Sequence, residues 1–223
     1  ARIDEEADST GSAFSLVAMD CRRRLGLRQC TDDNPPEHNM IRLHSLTVAL
    51  LLTLSPAVLA QSFTLSSPTI KPNAKLTDEQ VFNGFGCAGK NVSPALAWKG
   101  APAGTKSFAV TVYDPDAPTG SGWWHWVVVN LPASVTSLPA GAGDPSGGQL
   151  PAGAQQVRTD FGQPGFGGAC PPKGDKPHRY IFTVHALKTE KLEIPVDATA
   201  ALAGYMINAN RIGQASFTAR YGR

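Results

Sequence analysis

The stretch KSFAVTVYDPDAPTGSGWWHWVVVNLP, residues 106–132, carries the two clearest strands of the chain and the turn that joins them. Residues 106–114 alternate, with Phe108, Val110 and Val112 on one face. Residues 124–132 are more uniformly apolar, as expected of a central strand covered on both faces. Between them, Asp114-Pro115-Asp116 and the Gly/Ser run at 120–122 are turn chemistry. If the two strands pair as neighbours, Asp114 ends one and His125 begins the other at the same end of a sheet. A third strong strand, RYIFTVHAL at 179–187, opens with His178-Arg179-Tyr180. An aspartate, two histidines and a tyrosine then converge on one rim.

The rest of the chain supports a β-rich reading. Residues 61–69 alternate weakly and suit an edge strand. Residues 75–82 are polar and end near a glycine turn. Residues 84–98 begin as a glycine loop and end as a strand at Trp98. Residues 133–157 read as a long Ala/Gly/Pro connection, and 161–180 as a long loop crowded with Gly and Pro. Long loops on a rigid scaffold commonly carry function. Residues 197–212 have helical composition with Asp197 as N-cap, and 215–221 form a last strand. Short strands punctuated by turns predict one β-sandwich or barrel, with no βαβ alternation and no internal repeat.

The 223 residues are 42% hydrophobic and 17% charged, with 22 Gly and 18 Pro, and the formal charge is +2. That balance asks for no nucleic-acid partner. GxGxxG, P-loop, GxSxG and zinc-type cysteine patterns are absent from the sequence. Residues 40–60, MIRLHSLTVALLLTLSPAVLA, have the three-part form of a secretory signal peptide. Its apolar run is too short for a permanent membrane span. The reading is that Met40 is the true start and that residues 1–39 are an untranslated or disordered extension. The exported chain, 61–223, then holds nine Lys and five Arg against seven Asp and three Glu, a charge of +4. It keeps Cys87 and Cys170, which an exported protein is expected to pair, so it is predicted periplasmic or secreted, with no transmembrane segment of its own.

Each polar residue has a plain alternative. Asp114-Pro115-Asp116 serves as a turn, Trp123, Trp124 and Trp126 as packing, and a lone histidine as satisfied structure. Their joint position beside glycine-rich loops favours a site. His185, inside its strand, is read as structural, and Arg158, Thr159 and Asp160 as braces of the following loop. A metal on Asp114, His125 and His178 matches no known ligand spacing, so neither metal nor cofactor is expected. A hydrolase lacks a nucleophile with its base and oxyanion site. Histidine nitrogens, the Tyr180 hydroxyl and loop N–H groups suit a small anion, and aromatic walls suit an apolar or cationic arm. Asp114 would hold a histidine in one tautomer or attract an ammonium group.

The segments DPDAP at 114–118, GSGWWHWVVVNLP at 120–132, PPKGDKPHRYIFTVHAL at 171–187 and FNGFGCAGKNVSPALAW at 82–98 resemble the phosphatidylethanolamine-binding protein family. The bacterial YbhB/YbcL-like, or Raf kinase inhibitor-like, branch is most similar. The resemblance implies an antiparallel Greek-key β-sandwich with a helix near the C-terminus and short peripheral helices. It also implies a pocket for phosphate, acetate or a phospholipid head group. Its ligand-binding positions fall on Asp114, Trp123, His125, Pro172, His178 and Tyr180, with Asp116 and Pro118 in support. Cys87 and Cys170 lie in two loops flanking those motifs and would staple the rim. Eukaryotic members close the pocket with a C-terminal segment that finds no counterpart here. Kinase inhibition belongs to particular eukaryotic members and is not carried over. The expected function is a non-enzymatic, exported head-group or anion binder. An inhibitor or interaction protein acting on a protein partner such as a kinase or hydrolase is the alternative, and a phosphoester or ester hydrolase a weaker one.

Overall fold

The structure is a computed structural model that describes residues 62–223. The expected extension at 1–39 and signal peptide at 40–60 lie outside the described residues. In chain order the strands are β1 (Thr64–Ser66), β2 (Asn83–Gly84), β3 (Cys87–Ala88), β4 (Leu96–Lys99), β5 (Ser107–Asp114), β6 (Trp123–Pro132), β7 (Ser137–Leu138), β8 (Gln155–Gln156), β9 (His178–Leu187) and β10 (Arg211–Tyr221). The helix α1 spans Ala200–Asn210, and Asp78–Gln80 form a single 3-10 turn. Among the described residues the fold is mostly strands in antiparallel sheets with one α-helix.

The main sheet has the order β10-β9-β5-β6-β8, and a smaller one the order β1-β4-β7. All of their ladders are antiparallel. Side chains from both sheets fill one core: Leu65, Leu96, Trp98 and Leu138 from the small sheet meet Phe108, Val110, Val112, Trp126, Val128, Phe182 and Phe217 from the large one. The alternation of β5 therefore points Phe108, Val110 and Val112 inward as read. The opposite face is also covered. Ala109, Val127, Val129 and Leu187 pack beneath Ala200, Ala203 and Ile207 of α1, which recur at helical spacing. Burial of both faces of β5 requires this second layer, which strand alternation alone does not reveal. His185 lies in this layer's sheet face and shares a 3.0 Å hydrogen bond with Thr111 Oγ1.

Strand β6 is interior as expected, between β5 and β8 and buried on both faces, although the middle strand is β5. Two expectations change. The long connection 133–157 contributes two short strands, β7 and β8. The helix is capped by Thr199, whose hydroxyl accepts from the Leu202 N–H, rather than by Asp197. The Asp197 carbonyl accepts instead from Arg158 within a turn in which the Ala198 N–H donates to the Pro195 carbonyl, and extended Thr199 bridges to Arg158. The helix then runs straight into β10.

Candidate functional site

Antiparallel pairing gathers four strand ends. Asp114 at the end of β5 lies opposite Trp123 at the start of β6. His178 at the start of β9 lies opposite Tyr221 at the end of β10. Along β5, Asp114 continues the inward face of Phe108, Val110 and Val112, so its carboxylate points to the core side of the sheet end and is 2% exposed as a residue.

His125 reaches the same place through an irregularity. Val112 pairs with Trp126 and Tyr113 with Trp124, which leaves His125 as an extra residue on β6. Such a bulge re-aims a side chain. Trp126 is in the core between the sheets, while the His125 ring stands edge-on to Tyr180 at 5.0 Å in that same layer. Two consecutive residues thus face one way. The three tryptophans part accordingly. Trp126 is core, Trp124 packs toward α1, and Trp123 alone reaches the cavity. The packing alternative thus holds for Trp124 and Trp126, while Trp123 stands at the cavity.

A cavity of about 170 Å³ opens at this end. Asp114, Trp123, His125, Pro172, His178 and Tyr180 all line it, and so does Pro118. Asp116 does not. Its N–H donates to Asp114 Oδ1 at 2.8 Å, and its carboxylate grips Arg179 through the backbone N–H and the guanidinium at 2.7–2.9 Å. Arg179 holds the Asp116 carboxyl down at about 2. Asp116 thereby ties the turn after β5 to the start of β9, a supporting role.

Loop residues that the sequence reading did not single out complete the walls. Phe161, which opens the Gly/Pro loop, packs edge-on to Trp123 at 5.5 Å and to His125 at 5.4 Å. Phe85 lies parallel to Phe161 at 5.9 Å and remains 67% exposed at the lip. The disulfide Cys87–Cys170, with Cα atoms 6.0 Å apart, joins the β2–β3 hairpin to the Gly/Pro loop. Arg223 laces the same two segments, donating to the carbonyls of Pro171, Gly86 and Phe85. The repeated phenylalanines near glycine were a visible signal for this lip; Arg223 offered none. Gly167 is required by close approach, since a Cβ there would sit 2.2 Å from the Phe161 ring.

The buried polar atoms have defined roles. His178 Nδ1 donates to Asp114 Oδ2 at 2.7 Å, with both side chains almost fully buried. His178 Nε2 lies 3.4 Å from Asp175 Oδ2. His125 Nδ1 donates to the Gly167 carbonyl at 2.6 Å. Burial pushes the His125 pKa down, opposed by the Gly167 carbonyl and the charge of Asp114, so the ring favours its neutral form. Burial, then the Asp114 charge, raises the Tyr180 phenol, which stays an O–H donor. That hydroxyl is buried and finds no partner among the described residues. Loop N–H groups are scarcer than expected, because Pro118, Pro171 and Pro172 have none. Among the described residues, no group of three His, Cys, Asp or Glu side chains is placed to hold a metal ion.

The fold and cavity define a ligand-binding β fold with its pocket at the end of the main sheet. The family model for phosphatidylethanolamine-binding protein matches residues 66–222, and the chain belongs to that family. It is 59% identical to YbcL of Escherichia coli over 175 residues, covering 78% of this chain and 94% of that one. It is 54% identical to YbhB of Escherichia coli over 158 residues, covering 70% and 98%. The crystal structure of Escherichia coli YbcL, described as a new member of the mammalian PEBP family, superposes with a TM-score of 0.71 at 61% identity, covering 72% of this chain and 98% of that chain. The family expected from the four sequence segments is the one found.

Proposed function

We propose that this protein binds a small oxyanion in the cavity, namely phosphate or the phosphate group of a head-group phosphoester such as phosphoethanolamine. The observation that carries the reading is the Tyr180 hydroxyl. It lines the cavity, is buried, and has no partner among the described residues. A buried polar group left unpaired costs about 1–3 kcal/mol, which a ligand acceptor would offset. His125 and His178 line the same space with their rings fixed from behind by Gly167 and Asp114. The volume of about 170 Å³ is a few waters' worth and falls below that of drug-sized sites, so it suits a phosphate and a short arm rather than a whole lipid.

The role is binding rather than catalysis. The two cysteines beside the cavity are joined to each other, and the Thr119 hydroxyl donates to the Gly122 carbonyl, so neither offers a free thiol or an activated hydroxyl there. The protein is exported to the periplasm or secreted. A disulfide suits an oxidising compartment, in keeping with the signal-peptide form of residues 40–60. Among the described residues no helix is long and apolar enough to cross a membrane.

Calorimetric titration with phosphoethanolamine tests the binding reading. Heat is expected with the wild type and is lost in both His125→Ala and His178→Ala. Equal binding in wild type and both variants would contradict it.

A further inference from the structure

The cavity has few ways to meet an anion. Among the described residues no lysine or arginine lines it, and Asp114 sits inside it. The nearby guanidinium groups are engaged elsewhere: Arg179 with Asp116, and Arg223 with the Pro171, Gly86 and Phe85 carbonyls. Among the described residues that line the cavity, His125 and His178 are the only basic side chains.

Their hydrogen bonds decide what each can offer. A carbonyl oxygen only accepts, so His125 Nδ1, 2.6 Å from the Gly167 carbonyl, carries the ring hydrogen. A carboxylate only accepts, so His178 Nδ1, 2.7 Å from Asp114 Oδ2, carries its hydrogen too. In the neutral His125 ring Nε2 is therefore a lone pair, whereas His178 Nε2 lies 3.4 Å from the Asp175 carboxylate, which only accepts. Tyr180 supplies one O–H. A fully deprotonated oxyanion entering this cavity would set its own lone pairs against that of His125 Nε2. An anion that arrives with one hydrogen would not, whether the hydrogen stays on its oxygen or moves to His125 Nε2.

The charged neighbours favour that hydrogen. Asp114 and Asp160 face His125, with the neutral Tyr180 phenol beside it. Asp114 and Asp175 face His178. Asp114, Asp116 and Tyr221 surround Tyr180. On the outer side of His178, Lys176, Arg179 and Arg220 line a separate groove with Asp116 and Asp175.

We propose that the cavity binds its oxyanion together with one proton, and so selects phosphate and phosphomonoesters over sulfate and phosphodiesters. A phosphomonoester takes up its second proton near pH 6, within reach of neutral conditions. Sulfate and phosphodiesters do not protonate there. The ligand class is then a free phosphomonoester head group rather than an intact phospholipid, whose phosphate is a diester. This inference rests on the oxyanion reading of the cavity.

Calorimetry on the full chain tests it with four small probes: inorganic phosphate against sulfate, and monomethyl phosphate against dimethyl phosphate. Each pair is matched closely in size. At pH 7.5, phosphate and monomethyl phosphate are expected to bind at least about tenfold more tightly than their partners, the scale of one lost hydrogen bond to a charged group. The heat for monomethyl phosphate is expected to vary with the ionisation enthalpy of the buffer, reporting net uptake of a proton. Sulfate and dimethyl phosphate binding as tightly as their partners, with buffer-independent heats, would overturn the inference and leave the oxyanion reading standing. No heat from any of the four would take down both.

Discussion

His178 Nδ1 donates a 2.7 Å hydrogen bond to Asp114 Oδ2 between adjacent strands, with 5% and 3% of the two side chains exposed. Asp114 also accepts the Asp116 N–H. One carboxylate thus fixes both a ring and a turn. Asp114→Ala is expected to cost about 3 kcal/mol, the lower range for breaking a buried pair. Urea unfolding measures it. A change within about 0.5 kcal/mol, the size of an ordinary surface substitution, would show that the pair does not hold the sheet end.

Tyr180→Phe should separate stability from binding. The hydroxyl has no partner to lose within the described residues, so the ligand-free variant is expected to be as stable as wild type or more so. Phosphate affinity should fall about tenfold, the value of one hydrogen bond to an anion. Paired thermal melts and titrations decide this. Lower stability with unchanged affinity would place the hydroxyl in the fold rather than the site.

The disulfide closes a separation of 83 residues and holds the lip bearing Phe85. Replacing Cys87 and Cys170 by serine is expected to lower stability by about 2–4 kcal/mol. Mass spectrometry of the native exported protein should show a gain of two hydrogens on reduction. Two thiols that alkylate without reduction would refute the bond.

Acid should weaken the fold in two stages. Burial holds His185 down at about 4 against an ordinary 6.5, so the unfolded chain takes up its proton first. Stability is expected to fall as pH drops from about 6.5 to 4, with buried His125 acting in the same direction. Asp116 is held at about 2 against 3.8, so its stabilising pair with Arg179 is lost as pH falls through that lower window. Urea midpoints across pH 2–7 measure both. His185→Gln should flatten the upper stage and Asp116→Asn the lower. An unchanged profile in His185→Gln would assign the upper stage to other groups.

The sheet end was legible because alternation is a local signal. Phe108, Val110 and Val112 set a face that Asp114 continues, and pairing with the 124–132 and 179–187 strands brings His125, His178 and Tyr180 alongside. The bulge was not legible. Strict alternation puts His125 opposite Trp126, and only the observed register reveals the extra residue. The lip was half legible. Cys87 and Cys170 were paired from their number and context, whereas Phe85 meets Phe161 and Arg223 from positions 76 and 138 residues away, beyond any local pattern. The helix start moved to Thr199 because a bridge to Arg158, far away in sequence, holds Thr199 itself extended after a turn at 196–197.

Histidine ring nitrogen resonances, followed by NMR during phosphate titration, test the oxyanion site most directly. His125 and His178 line the cavity, while His185 lies on the opposite face of the sheet against Thr111 and serves as an internal reference. The expected result is saturable movement of the His125 and His178 signals with His185 still. Signals of all three unmoved at saturating phosphate would contradict it.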